Sequence, residues 1–173
     1  MELKILHLIQ NIHTPILDKI MIVVSSLGNA GIIWIVLIIV LLCFPKYRKC
    51  GITMMIALLI DVLACNVVLK NLVARSRPCW IDPTITLLVS NPKDFSFPSG
   101  HTAAAIASVV PLLHWHKREG AAALVLALLI AFSRMYLFVH YPTDILGGVA
   151  VGAAAGTIAI YIMKKVPDQQ EIR

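Results

Sequence analysis

The sequence is poor in charge. Asp, Glu, Lys and Arg make up 14% of its 173 residues, where a soluble domain carries roughly 25%. It is also poor in the polar, self-repelling stretches that keep a chain unfolded, which excludes an intrinsically disordered protein. Four cysteines in 173 residues is ordinary usage, which excludes a cysteine-stapled scaffold, and no structural disulfide is expected. The N-terminus lacks a basic region followed by a clean apolar core and a small-residue cleavage site, so no cleavable signal is expected. What the chain has in excess is apolar surface. It is 59% hydrophobic, with a mean hydropathy of +0.85. A soluble domain of this length has too little interior to hide that surface. Lipid must be the main solvent, and residues 1–173 read as one integral membrane domain.

A spanning helix needs about 20 mainly apolar residues. Five segments approach this: Ala30–Phe44, Gly51–Leu69, Thr102–Trp115, Gly120–Val139 and Ile145–Met163. The first and third are short and borrow flanking residues or sit inside the bundle. Residues 1–29 form either an interfacial segment or a further crossing. Leu3–Ile12 is amphipathic at helical spacing, Pro15 opens Ile16–Leu27, and Gly28 to Gly31 read as a turn. The expected architecture is an all-α polytopic bundle of five or six transmembrane helices.

The net charge is +6. Much of it lies in short inter-helix segments, which suits membrane orientation better than nucleic-acid binding. Lys46, Arg48 and Lys49, then Lys117 and Arg118, then Lys164, Lys165 and Arg173 fall on one side, the cytoplasmic one. The segment 70–101 and the turn His140–Asp144 then face outward. Lys70, Arg75, Arg77 and Lys93 lie in that outer segment against the rule, so they need another reason to be there.

Three clusters supply one. In the first, Lys70 precedes Arg77-Pro78 by seven residues, which on a continuous helix sets two cations on one face, about 10 Å apart. In the second, Phe95-Ser96-Phe97-Pro98-Ser99-Gly100-His101 precedes an Ala-rich helix whose N-terminus, with Ser99 as its cap, offers free N–H groups to an anion. In the third, Ser133-Arg134 is followed by His140 and, four residues on, by Asp144, placed to take one imidazole N–H. Read singly, each has a plain structural alternative: snorkelling cations, a capped helix, a polar turn. Together they offer two histidines, an orienting carboxylate, cations and N–H donors, which suits phosphoryl transfer through a histidine. No Glu or Cys joins them at ligand spacing, so neither a metal nor another cofactor is expected.

These residues resemble the signature of the type 2 phosphatidic acid phosphatase superfamily: Lys-x6-Arg-Pro, Pro-Ser-Gly-His and Ser-Arg-x5-His-x3-Asp. Lys70 to Pro78, Pro98 to His101 and Ser133 to Asp144 fill every position at every spacing. The resemblance covers about residues 60–156, and with the outward orientation read from the basic loops it puts the expected active site at the extracytoplasmic face of the plasma membrane. By that resemblance His140 is the nucleophile, Asp144 orients it, and His101 protonates the leaving oxygen. Lys70, Arg77, Ser99, Gly100 and Arg134 bind phosphate, and no metal is required. It also implies a lipid phosphate or diphosphate substrate, first undecaprenyl diphosphate, with phosphatidylglycerophosphate or phosphatidate as alternatives. A lipid phosphotransferase and a non-enzymatic lipid-phosphate binder are the remaining readings.

Other features carry less. Asp61, mid-span, falls on roughly the opposite helix face from Lys70 and is expected to pair within the bundle, for instance with Asn66. Gly148, Gly152 and Gly156 form a close-packing stripe, for a helix of the same chain rather than a homodimer seam. Trp80, Asp82, Pro83, Phe95 and Phe97 are placed to shape the mouth of the site.

Overall fold

The computed structural model describes residues 1–166. Arg173, counted above with the basic tail, lies outside the described residues. Among them, the regular structure is all helical. The helices are α1 (Glu2–Gln10), α2 (Pro15–Leu27), α3 (Ile32–Cys43), α4 (Arg48–Asp61), α5 (Lys70–Val73), α6 (Pro78–Ile81), α7 (Gly100–Trp115), α8 (Lys117–Tyr136) and α9 (Pro142–Lys164). A π-helical stretch, Val62–Leu69, joins α4 to α5. Proline opens α2, α6 and α9, where its fixed φ suits the first turn and its missing N–H costs nothing. Between α2 and α3 the chain turns through Ala30 (φ 50°) and Gly31 (φ 68°), at the turn expected from the sequence.

Helix α7 is the centre of the bundle. Ala103, Ala105, Ala107 and Val109 are buried along it. The Gly148/Gly152/Gly156 stripe of α9 lies directly on it. A Cβ at Gly152 would come within 2.4 Å of the Ala103 carbonyl, and one at Gly148 within 2.7 Å of the Ser99 carbonyl. The stripe is thus spent inside the chain, which allows α9 to press against α7 at backbone distance. The outer surface is the reverse of a soluble protein's. Ile39, Leu59, Val67, Leu128, Leu146 and Ile158 are large, apolar and exposed, as lipid contact requires.

By length and composition the helical run Pro45–Ile81, α8 and α9 can each cross a membrane. Residues Pro15–Leu27 and Asn29–Cys43, bent by 49°, make a fourth span if taken as one. Helix α7, at 16 residues, is shorter than a full crossing and is enclosed by its neighbours. The basic segments gather at one end of the bundle. There Lys49 lies 5.1 Å from the Trp115 ring, and Tyr47 meets His116 at a tilt, with ring centroids 4.6 Å apart.

Two local expectations are overturned. Lys70 and Arg77 do not share a helix. Ala74 takes a left-handed conformation (φ 47°, ψ 41°) and ends α5, and Pro78 drives Arg77 into extended backbone (ψ 154°). Asp61 does not pair with Asn66. It is buried, and neither carboxyl oxygen has a hydrogen-bond partner among the described residues.

Candidate active site

The end of the bundle opposite the basic segments gathers all three sequence clusters. A cavity of about 670 Å³ is lined by Lys70, Arg77, Gly100, His101, Arg134 and His140, among others.

His140 sits in the turn between α8 and α9, fully buried. The turn is tight because the His140 and Val139 N–H groups both donate back to the Arg134 carbonyl, at 3.3 and 3.2 Å. Phe138 accepts a left-handed φ of 59° to make it. Arg77 Nη1 lies 3.1 Å from His140 Nε2. A guanidinium can only donate, so Nε2 must accept, and the ring proton belongs on Nδ1. That nitrogen faces Asp144 Oδ2 at 3.5 Å. Burial, with the charges of Arg77 and Arg134 added and Asp144 opposing, pushes the imidazole down to about 3. The ring is therefore neutral across the working pH range, with the Nε2 lone pair turned toward the cavity side where Arg77 sits.

Asp144 stands at the third position of α9. Its carboxylate accepts from the Tyr141 N–H at 2.8 Å, which closes the first turn of the helix. It also accepts from the Ser96 hydroxyl and from Arg75 Nη1 at 2.6 Å. Ser96 Oγ lies 3.5 Å from His140 Nδ1 as well, so it bridges the pair. Arg75 donates in turn to Glu2 at 2.6 Å, and Glu2 accepts from the Thr143 N–H at 3.0 Å. Helix α1 is thereby tied to the turn that carries His140.

The cations are placed differently. Asp94, on the loop before α7, engages two of them. It pairs with Lys70 through Oδ2 and with Arg77 Nη2 through Oδ1 at 2.8 Å. Its backbone carbonyl accepts from Arg77 Nε at 2.7 Å. Partial burial would raise the Asp94 carboxyl, but the hydrogen bond to Lys70 and the two cationic charges outweigh it and hold it at about 2. Arg77 also donates to the Val139 carbonyl at 2.8 Å. Arg134 donates to Ser25, across the bundle on α2. Its Nε lacks a partner among the described residues.

His101 opens α7 with its Nε2 2.9 Å from Asn29 Oδ1. An amide oxygen only accepts, so Nε2 carries a proton. A Cβ at Gly28 would meet the His101 ring at 2.8 Å, so glycine is what lets the α2–α3 turn close over the imidazole. Ser99 occupies the cap position of α7 without a side-chain cap hydrogen bond. Its hydroxyl instead accepts from Thr102 at 3.0 Å. Gly100 lies beside Lys70, whose Nζ would be 3.7 Å from a Cβ placed there.

All eight residues singled out in the sequence thus lie around one end of α7. Lys70, Arg77, Gly100, His101, Arg134 and His140 line the cavity, Asp144 stands behind His140, and Ser99 precedes Gly100. Sequence reasoning missed Asp94, Ser96, Asn29 and Ser25, and marked Arg75 only as an outer cation in need of a reason. Asp94 had a signal, as the one acid between Asp82 and Glu119 in a segment rich in cations. Ser96 had none beyond its place inside the second cluster.

At the mouth, Trp80 meets Phe95 edge-on at 6.4 Å and donates to Asn91 Oδ1 at 3.0 Å. Asp82 turns away to His7, 3.0 Å distant.

Residues 46–168 match the model of the PAP2 superfamily. An undecaprenyl-diphosphatase of Sulfolobus acidocaldarius is 32% identical over 156 residues, covering 87% of this chain and 73% of that one. Phosphatidylglycerophosphatase B of Bacillus subtilis is 34% identical over 154 residues, covering 82% and 72%. Among solved structures, Aquifex aeolicus LpxE superposes with a TM-score of 0.80 at 28% identity, covering 92% of this chain and 94% of that one. A PAP2-type phosphatidylglycerolphosphate phosphatase from Bacillus subtilis gives 0.78 at 29%, covering 97% and 87%. The family match spans most of the chain, and the chain belongs to the PAP2 superfamily.

Proposed function

We propose that this protein is a membrane lipid phosphatase that works through a phosphohistidine on His140, with undecaprenyl diphosphate as its first substrate. The observation that carries the reading is the shared cavity. It holds Lys70, Arg77, Arg134 and His101 around a neutral His140, whose Nε2 faces the Arg77 guanidinium at 3.1 Å.

In the first step Arg77 Nη1 leaves His140 Nε2 for a phosphoryl oxygen, and the freed Nε2 lone pair attacks the terminal phosphorus. As the N–P bond forms, the bond from that phosphorus to its leaving oxygen breaks, which releases the lipid monophosphate from a diphosphate or the lipid alcohol from a monophosphate. His101 acts as the imidazolium, a form the charge of the arriving phosphate favours; it gives one proton to the departing oxygen and is left neutral, while Asp144, aided by Ser96, steadies the His140 imidazolium through Nδ1–H. Lys70, Arg77 and Arg134 hold the phosphoryl oxygens, with Ser99 and the Gly100 N–H completing the cradle at the start of α7. In the second step water attacks phosphorus, the N–P bond breaks, and His101 takes back a proton. Asp94 must yield Lys70 and Arg77 to the phosphate for this to occur. Charge stabilisation is supplied by protein cations, and no metal step is needed.

The single domain spans the whole chain. Five crossings follow if the bent α2–α3 pair, the α4–α6 run, α7, α8 and α9 each traverse the plasma membrane. The site would then lie at the extracytoplasmic face, opposite the basic segments. Relatives named for undecaprenyl diphosphate and for phosphatidylglycerophosphate both support a lipid (di)phosphate substrate. A panel of undecaprenyl diphosphate, phosphatidylglycerophosphate and phosphatidate, assayed for phosphate release in detergent with EDTA, tests the reading. Turnover that survives EDTA and is lost in His140→Ala is expected. Loss on adding EDTA, or full activity in that variant, would overturn it.

A further inference from the structure

The cavity continues beyond the phosphate cradle. Below Lys70 its walls are Ile35, Ile39 and Leu42 from α3 and Met55, Leu58 and Leu59 from α4. Ile39 and Leu59 are at once cavity wall and exposed flank, which opens the α3–α4 gap toward lipid. This is a passage suited to an acyl or prenyl chain. Two polar groups interrupt it, Asn66 and Asp61.

Their position is a consequence of the π-helical stretch. With α-helical winding, the nine steps from Asp61 to Lys70 sum to 900°, and the two residues face opposite ways. Val62–Leu69 is wound as a π-helix. An i→i+5 pattern turns by about 80° per residue, so nine steps make about two full turns. Asp61 therefore comes round to the wall that bears Lys70, and both line the cavity. Asp61 is 1% exposed, and neither of its oxygens has a partner among the described residues. An unpartnered carboxyl buried in the cavity wall is costly to keep. A partner carried in by a ligand removes that cost.

We infer that Asp61 and Asn66 form a polar subsite for an ester oxygen of the lipid, below the phosphate cradle. The inference rests on the proposed phosphatase reading for the location of the phosphate. With phosphate held at Lys70 and Arg77, the lipid descends past Asn66 and then Asp61. A diacylglycerol carries ester carbonyls at that depth, each with two acceptor lone pairs. The Asn66 amide N–H is a donor to match them, and so is the Asp61 carboxyl in its neutral form, the form that an unpaired buried carboxyl favours. A prenyl chain offers no acceptor at that depth and a dialkyl lipid only its weaker ether oxygens, so the subsite speaks for the glycerolipid alternatives, phosphatidylglycerophosphate and phosphatidate, beside undecaprenyl diphosphate. The subsite therefore favours ester-linked glycerolipid phosphates over chain-matched ether lipids.

The test separates binding from turnover. Diacyl and dialkyl phosphatidate of equal chain length are titrated against the His140→Ala protein in detergent micelles. The diacyl lipid should bind about tenfold more tightly, the scale of one net hydrogen bond. Adding Asp61→Leu should erase the difference, while Asp61→Asn, which keeps an N–H donor, should preserve most of it. Equal binding of the two lipids, or an equal loss for both in Asp61→Leu, overturns the subsite. The ester preference is read without catalysis. A protein that shows it yet hydrolyses no lipid phosphate refutes the phosphatase reading alone.

Discussion

The two halves of the cavity's polar end are built on opposite logic. The His140 half is local. Arg134, His140 and Asp144 follow one another through a single turn, and hydrogen bonds within that turn fix them. The Lys70 half is assembled at a distance. Lys70 and Arg77 are separated by a broken helix, and both are gathered by Asp94, well downstream in the chain. The first half is held together by its own backbone. The second is held together by an anion, and that anion occupies cations a phosphate would need. A rigid nucleophile and an exchangeable anion clamp make different demands on their supporting residues, and mutations should separate them.

The largest effect short of removing His140 should come from its support. Asp144→Asn is expected to lower kcat by on the order of 10² to 10³, as the ring loses both orientation and a stabilised imidazolium. An equal change in KM with kcat intact would assign Asp144 to the clamp instead. Ser96→Ala, which removes the bridge between His140 and Asp144, should lower kcat by about tenfold and leave phosphate inhibition as it was. On the clamp side the sign reverses. Asp94→Asn should free Lys70 and Arg77 and tighten inhibition by inorganic phosphate by about three- to tenfold, the scale of a charged hydrogen bond. Weaker inhibition in Asp94→Asn would show that Asp94 positions the cations rather than competing for them.

The last prediction leaves activity unmeasured and concerns the pH dependence of stability. His140 is held neutral down to about 3 in the folded protein, whereas an unfolded histidine takes up a proton near 6.5. Below about 6.5 the unfolded state binds the extra proton, so stability should fall as pH drops from there toward 3. His140→Gln should flatten that part of the profile of melting temperature against pH in detergent. An unchanged slope would place the proton uptake elsewhere.

The same contrast explains what could be read from the chain. Spacing within one turn survives folding, so the four-residue step from His140 to Asp144 was legible. The start of α7 was legible too, because Pro98, Ser99 and Gly100 mark a helix opening. Spacing across a helix break does not survive. Lys70 and Arg77 were assigned one face, but Ala74 in a left-handed conformation and Pro78 after Arg77 divide the segment. They meet nonetheless, through Asp94. Asp61 was misplaced for a related reason, since α-helical winding was assumed where the chain is π-helical. The supporting residues Ser96, Arg75 and Ser25 owe their places to contacts between elements distant in sequence, and no local pattern encodes them.

The central claim is that the phosphoryl group passes through His140. It is tested most directly by mixing the purified protein briefly with a lipid phosphate radiolabelled on its terminal phosphorus, quenching in alkali, and mapping the labelled peptide. The account predicts an alkali-stable, acid-labile label on His140 that disappears on chasing with unlabelled substrate and is absent from His140→Ala. Label on another residue, or turnover by His140→Ala at the wild-type rate, would contradict it.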